Sequence, residues 1–375
     1  MKKKILFVTN HFRFSNGVAT VLRNLIANLD ENEYDISLLA IYEFNQEFAA
    51  PIMNKIKVIP GYNFYFRGFD KLINLIPPEK IYKKFVKEKY DLEVAFQFGI
   101  PTKCIAVSPN PNKLCWMHTY DSKMILREYY KKFPKVINVA KAGRDKMISA
   151  GFDRSMCDYC YNIIDEIPII EAAKDACPIT KSHKYSVVTV ARLAPDKAFM
   201  RYLSCIKEIV KKIKDVEFWI IGGGSEEEKM RQYIKANSLD EFVKMPGKQK
   251  NPYKFVKAAD LYFCCSYREG FSTSCQEAAL LGIPVISVNV DGAQELKELS
   301  RCGEVLKNDE VDICEGLTKI LENEKQIKKW KEQAEEICCT GRLYSDGGHE
   351  YVADYFLYAL YHVEQTSDDG DKHAE

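Results

Sequence analysis

The sequence predicts an α/β protein made of two doubly wound, parallel-sheet domains. Three observations carry this. Residues 259–265 form a short apolar run of strand type, 277–281 read as helix stopped by Gly282 and Pro284, and 285–288 form a second apolar run. That order is strand, loop, helix, strand, one parallel βαβ unit. The same alternation opens the chain, with a strand-like run at 4–9, a helical pattern from Gly17 and another strand-like run at 34–41. Finally, 375 residues suffice for two or three domains, and the mixed stretch 166–184, with Pro168, Pro178 and several charges, separates two such halves.

Composition narrows the class. Apolar residues make up 46% of the chain, enough for substantial cores. The formal net charge of +1 hides an asymmetry: residues 1–170 hold 25 Lys and Arg against 18 Asp and Glu, or +7, leaving 29 against 35, or −6, in the remainder. Such asymmetry speaks to partners rather than to fold. The 13 cysteines are odd in number, scattered and mostly set in apolar runs. Cys157 and Cys160 make the one CxxC, with no second pair at zinc spacing. Reduced, buried thiols in the cytosol are the simplest account. No apolar run approaches the ~20 residues of a membrane-spanning helix. The run 5–9 after Lys2, Lys3 and Lys4 is too short for the core of a signal peptide. A cytoplasmic protein is expected.

In chain order, the strand at 4–9 is of buried parallel type. A loop at 10–16 leads to Gly17, where a helix with apolar residues at helical spacing begins. Strand, glycine turn and helix together suit a phosphate, although one glycine is a weak signal. Residues 61–89 interleave Tyr62, Phe64, Tyr65, Phe66 and Phe69 with Lys80, Lys83, Lys84, Lys87 and Lys89. This pattern fits a contact with an anionic membrane surface, or a helix with a snorkelling lysine face. No nucleic-acid-binding motif accompanies the charge, so nucleic acid is not expected as a partner. Further strands are expected at 91–96 and 113–118. His118 falls at the end of the second, where sites in open α/β sheets lie, although a lone histidine is more often structural. Another strand at 136–139 and a short helix at 141–150 complete a first domain over 1–165. The linker is placed at 166–184.

The second domain, 185–342, starts with a strand at 185–191. Arg192 and Lys197 follow at its C-terminal end. Two cations five residues apart in such a loop can clamp a diphosphate, Arg bidentately and Lys as a point charge; the plainer alternative is a solvated loop. The strand at 218–221 runs into Gly222, Gly223 and Gly224. It lacks G-x-G-x-x-G, and Glu226, Glu227 and Glu228 would repel a pyrophosphate, so the turn reads as structural. Residues 242–248 form a strand ending in a turn at Lys248. A charged amphipathic helical region is expected at 315–339, a C-terminal helix at 343–364 and a disordered polar tail at 365–375.

The stretch 266–284 organises the rest. Glu269 is expected in the loop after its strand, and Glu277 one to two turns into the helix. At ~1.5 Å rise per residue their Cα atoms lie about 10 Å apart, too far to share a proton but suited to two ends of one long ligand. Phe271, Ser272, Thr273 and Ser274 lie between. Hydroxyl residues there can cap the helix, and the N–H groups at its start attract phosphate. A ligand with hydroxyls at both ends and phosphate in the middle is a nucleotide-sugar. The alternative is an ordinary capped helix with solvated glutamates.

These residues, E-G-F-x4-x-E followed by A-x3-G-x-P-V-I and later by Gly292-Ala293-Gln294-Glu295, resemble the E-x7-E signature of retaining glycosyltransferases of the family-4 type. The resemblance implies the GT-B fold: two Rossmann-like domains facing across a cleft, with the C-terminal helix crossing back to the first. It implies a nucleotide-diphosphate sugar donor, a UDP-sugar favoured, with His118 and Glu269 catalytic on the donor sugar and Glu277 on the ribose. Gly17, Arg192, Lys197, Lys248, Phe271, Ser272, Thr273 and Ser274 would complete the substrate-binding set. Three positions depart from the family pattern. Only Gly17 stands where two glycines are common, Ala191 and Ala198 replace glycines around Arg192 and Lys197, and Ile163 replaces the glycine of the N-G-x-D turn at the domain exit. No metal and no other cofactor is expected, because side-chain cations and a helix end would meet the leaving diphosphate. The acceptor would be a saccharide or a lipid-linked sugar in cell-surface polysaccharide or glycolipid synthesis, met by the basic first domain at the inner face of the membrane. The rivals are a nucleotide-sugar epimerase, which can share the fold, and a non-catalytic glycan- or nucleotide-binding module.

Overall fold

The computed structural model describes residues 2–14, 16–120 and 126–340. The expected C-terminal helix at 343–364 and the tail at 365–375 lie outside the described residues. Two compact units divide the chain, with the boundary between Ile163 and Ile164.

The first unit holds a parallel sheet of seven strands: β1 (Lys3–Phe12), β2 (Tyr34–Phe44), β3 (Ile56–Ile59), β4 (Leu92–Ala95), β5 (Lys113–Met117), β6 (Lys135–Asn138) and β7 (Cys157–Tyr159), in the order β3-β2-β1-β4-β5-β6-β7. Its strands are nearly continuous apolar runs because helices cover both faces. Leu6, Phe7, Val8, Leu38 and Leu39 are fully buried. One charged residue, Glu93 in β4, is buried with the Tyr82 hydroxyl donating to it at 2.8 Å. The helix Gly17–Asn28 follows β1. Its Asn16 cap accepts from Ala19 N–H at 3.4 Å, and Val21, Leu22, Leu25 and Ile26 form its buried face.

Residues 61–89 divide into two parts. In the helix Pro78–Phe85, Ile81 and Phe85 are buried while Lys80, Lys83 and Lys84 are exposed, which is the snorkelling arrangement. Lys84 Nζ lies 4.2 Å from the Tyr62 ring centroid. The part before it is different: Phe64 and Phe66 are each 52% exposed and Leu75 is 80% exposed.

The second unit holds a parallel sheet of six strands: β8 (Tyr185–Val190), β9 (Val216–Ile221), β10 (Val243–Gly247), β11 (Leu261–Cys264), β12 (Val285–Val288) and β13 (Gly303–Leu306), in the order β10-β9-β8-β11-β12-β13. In each sheet the winding reverses at one strand pair, β1/β4 and β8/β11, and ligands of doubly wound sheets bind beyond the C-terminal ends of such pairs. The helical region expected at 315–339 is two helices, Glu310–Glu322 and Glu324–Thr340. They part at Asn323, whose side chain accepts from Gln326 N–H at 3.1 Å.

Residues 166–184, expected as linker, are fastened to the second unit. Glu166–Ala173 is a helix, in which Pro168 occupies the first turn, a position without an intrahelical N–H partner. Asn251 Nδ2 donates to the Ala172 carbonyl at 2.7 Å and to Asp175 at 2.9 Å. Lys181 pairs with Asp260, which also accepts from Lys331 at 2.8 Å and from Ser186 N–H at 2.8 Å. Burial alone would raise the Asp260 pKa, but these donors outweigh it and hold the carboxyl below its ordinary value. Asp260→Ala leaves two lysines without their anion and is expected to cost about 2 kcal/mol of stability, less than a fully buried pair because both lysines are partly exposed. Urea denaturation of the variant checks this; an unchanged midpoint would show that the cluster is not a fastening.

Candidate functional site

At the C-terminal end of the second sheet, loops from β8, β9, β10 and β11 meet. The β8 exit loop lies directly on the β9 exit loop: Leu193 N–H donates to the Gly223 carbonyl at 3.0 Å, and Glu226 N–H to the Leu193 carbonyl at 3.0 Å. Glycine is what allows this. A Cβ on Gly222, whose φ is 156°, would sit 1.9 Å from the Ala191 carbonyl oxygen, and one on Gly224 would sit 2.3 Å from that of Leu193. The glycine triplet is thus structural, and it shapes the loop that carries Arg192 and Lys197. Lys248, just past β10, packs against Gly223, its Cβ 3.3 Å from where a Cβ would stand.

The two cations of the expected clamp have different settings. Arg192 is 62% exposed and lies 3.5 Å from Asp196. Lys197 is 19% exposed, and its Nζ donates to Glu269 Oε1 at 2.6 Å. Burial pulls the Lys197 pKa down, but the charge and hydrogen bond of Glu269 outweigh it and hold the ammonium above its ordinary value. Ala198, with φ 58°, closes this loop in the left-handed region, a conformation costing an alanine about 1 kcal/mol.

Glu269 stands in the loop after β11 and accepts a second hydrogen bond, from Ser266 Oγ at 2.6 Å. The helix Thr273–Leu280 begins four residues on. Ser272 caps it by accepting from Cys275 N–H at 3.4 Å, and the Ser272 and Ser274 hydroxyls are 3.2 Å apart. Phe271, expected among the substrate-binding residues, is corrected in one respect: its ring is buried against Gly292, where a Cβ would come within 2.2 Å of Cδ2. The side chain belongs to the core, because φ 74° at Gly292 brings that backbone onto the ring. Glu277 lies one turn into the helix. Burial pushes its carboxyl up to about 8, and a hydrogen bond from Tyr253 offsets this only in part. Tyr253 is beyond the reach of motif reasoning, for no spacing links it to Glu277.

In the first unit, Gly17 opens its helix with open space where a Cβ would point. His118, at the end of β5, has its Nε2 3.1 Å from the Phe96 carbonyl. Burial lowers its pKa to about 4, against the opposing effect of that hydrogen bond. The ring is therefore neutral at pH 7, with Nε2–H donating and Nδ1 able to accept. Among the described residues, no group of three or more His, Cys, Asp or Glu side chains is arranged to hold a metal ion.

Glu277 yields a signed prediction. Its folded pKa is raised above the unfolded value, so the folded state binds more protons and stability falls as pH rises from about 4.5 through 8. Glu277→Gln removes that dependence. The variant is expected to match the parent in melting temperature near pH 5 and to exceed it at pH 9. Equal differences at both pH values would mean the carboxyl is ionised throughout.

Residues 176–337 match the family described as glycosyl transferases group 1. Over 117 residues, 30% of this chain, the sequence is 33% identical to the 2-deoxystreptamine N-acetyl-D-glucosaminyltransferase of Niallia circulans, and that match covers only 30% of the relative's length. Over 320 residues, 83% of this chain and 85% of the relative, it is 23% identical to the Campylobacter jejuni N-acetylgalactosamine-N,N'-diacetylbacillosaminyl-diphospho-undecaprenol 4-alpha-N-acetylgalactosaminyltransferase. Among solved structures, Anabaena HepE in complex with UDP and glucose superposes with a TM-score of 0.72 at 18% identity, covering 96% of this chain and 99% of that one. That likeness shows the fold, two Rossmann-like α/β domains of the GT-B type. The family match spans less than half of the chain, and these relatives are what the chain is similar to.

Proposed function

We propose that the chain is a retaining, metal-independent glycosyltransferase. It would move a sugar from a nucleotide-diphosphate sugar, a UDP-sugar favoured, to a saccharide or lipid-linked acceptor in cell-surface polysaccharide or glycolipid synthesis. The observation that carries this is the grouping at the β8/β11 end of the second sheet: a lysine bound to Glu269, a serine-capped helix start and a half-buried Glu277 one turn further on. The relatives add support, since the Anabaena structure holds UDP and the Campylobacter enzyme is named for a diphospho-undecaprenol acceptor.

On this reading, Arg192, Lys197 and the N–H groups at the start of the helix Thr273–Leu280 neutralise the departing diphosphate. Lys197 has ammonium hydrogens beyond the one given to Glu269, and these can meet phosphate oxygens. Glu269 accepts from hydroxyls of the donor sugar, and neutral His118 in the first unit has an Nδ1 able to accept from a hydroxyl. The turn at Lys248 lies beside the base. Glu277 takes the ribose hydroxyls; their donation favours the ionised carboxylate, so nucleotide binding releases a proton at pH 7.

The test separates the two glutamates. Glu269→Gln should lower kcat by about 100-fold while leaving UDP affinity within about threefold, because it orients the reacting sugar. Glu277→Gln should weaken UDP about tenfold or more and appear mainly in KM. Calorimetry with UDP, in two buffers of different ionisation enthalpy, is set beside steady-state kinetics. Reversed effects would mean the donor lies the other way round. Conversion of a nucleotide-sugar into its epimer without acceptor would replace the proposal by the epimerase.

The basic first unit would meet the acceptor at an anionic membrane on the cytoplasmic side. Phe64, Phe66 and Leu75 stand exposed within a stretch that also carries Lys83, Lys84 and Lys87, and no helix among the described residues is long and apolar enough to cross a membrane. Flotation with phosphatidylserine vesicles should be weak and salt-sensitive. It should be lost when Lys83, Lys84 and Lys87 become Glu; unchanged flotation would exclude this face.

A further inference from the structure

Past the end of β11, three consecutive carbonyls, those of Cys265, Ser266 and Tyr267, are held by two side chains. Arg201 Nη2 donates to the Cys265 carbonyl at 2.8 Å. Asn308 Nδ2 donates to the carbonyls of Ser266 at 3.2 Å and of Tyr267 at 3.3 Å. Arg201 also holds Asn308 itself, through Oδ1 at 2.7 Å and the main-chain oxygen at 3.1 Å. The guanidinium carbon lies 4.5 Å from the Tyr267 ring centroid. Arg201 comes from the helix Phe199–Lys212, and Asn308 from the loop after β13.

The same short segment is fixed from its other side. Tyr267 N–H donates to the Asp196 carbonyl at 3.0 Å, and Cys265 Sγ to that of Lys197 at 3.1 Å. Ser266 is therefore held by its carbonyl while its hydroxyl binds Glu269. We propose that Arg201 and Asn308 are positioning residues: by clamping 265–267 they set the place of Glu269 and of its partner Lys197. The clamp rests on the transferase reading for its purpose but not for its geometry. A guanidinium suits the task because it presents five N–H donors in a rigid planar fork, where a lysine offers three on a flexible stem. Its place on the helix supports this: Phe199, Tyr202 and Leu203 beside it are fully buried, and the acceptors of Arg201 itself lie in the loops after β11 and β13.

The experiment has two readouts on the full chain. The first is amide hydrogen exchange of the peptide 265–270 in Arg201→Met, Arg201→Lys and Asn308→Ala. Exchange is expected to rise at least tenfold in the Met and Ala variants and less in the Lys variant, with the sheet strands unaffected. The second is the kinetic split: kcat should fall 10- to 100-fold with UDP affinity held within threefold, and Arg201→Lys should recover part of kcat. Unchanged exchange at 265–270 in both Arg201→Met and Asn308→Ala would overturn the clamp. Loosened exchange with unchanged kcat, or a parallel loss of kcat and UDP affinity, would overturn the positioning role. Should the parent transfer no sugar from any nucleotide donor, the transferase reading falls, and the exchange measurement still decides the clamp.

Discussion

The second unit depends on a constraint that every parallel sheet meets at its C-terminal edge. Where β8 and β11 end, the two chains leave in opposite directions, and the backbone groups beyond them lose their sheet partners. Each freed group must find another partner close by. Gly222 and Gly224 answer for one side by letting the β9 exit loop donate to and accept from residues 191–193. Arg201 and Asn308 answer for the other by donating to carbonyls 265–267. Tyr267 N–H to the Asp196 carbonyl then ties the two solutions together. The side chains proposed to carry the chemistry, Lys197 and Glu269, are left facing each other once these backbone needs are met.

Burial sorts the ionisable groups into two kinds. Glu277 and His118 are pushed toward their neutral forms, up to about 8 and down to about 4. Lys197 is held charged, because its partner is an anion rather than a carbonyl or a phenol. In the proposed mechanism Glu269 and Glu277 take hydroxyls, and Lys197 meets the charge that develops on the leaving group. The sorting follows from which group has an opposite charge within 3 Å, not from residue type.

Much of the fold is legible in the sequence because a doubly wound sheet writes its strands as apolar runs, as at 4–9 and 285–288. The loop position of Glu269 and the helical position of Glu277 follow from Gly282 and Pro284 closing the helix. The structural reading of Gly222–Gly224 follows from the acidic residues after it. What is not legible is pairing across long separations. Lys197 and Glu269 are 72 residues apart, and a loop-to-loop ion pair has no spacing rule. Lys181 reaches Asp260 across 79 residues, a contact that the charged, proline-containing stretch 166–184 does not announce. Phe271 was drawn into the binding set by its neighbours, and only the left-handed Gly292 shows that its ring is covered. Arg201 left one trace, a cation inside the apolar run from Phe199 to Leu203.

The −6 of residues 171–375 falls entirely in 341–375, with 2 Lys and Arg against 8 Asp and Glu, while residues 171–340 hold 27 against 27, so the second sheet and its loops could receive a diphosphate only where charge is locally uneven. Of the helices that start at this end of the sheet, two show the contrast. The helix Glu227–Ala236 carries Glu227 and Glu228 in its first turn, so its own carboxylates satisfy the positive end of its dipole. Glu227 is occupied further by Arg231 at 2.8 Å, and Glu226 lies 3.7 Å from Lys229. The helix Thr273–Leu280 has no acidic residue in its first turn and is capped by a neutral serine. Nothing within that turn competes for its N-terminal dipole. Lys197, beside it in the same loop cluster, is only half answered by Glu269, which Ser266 also engages. Charge over residues 171–340 therefore balances, and the start of the helix Thr273–Leu280, beside Lys197, is where the phosphate has been proposed.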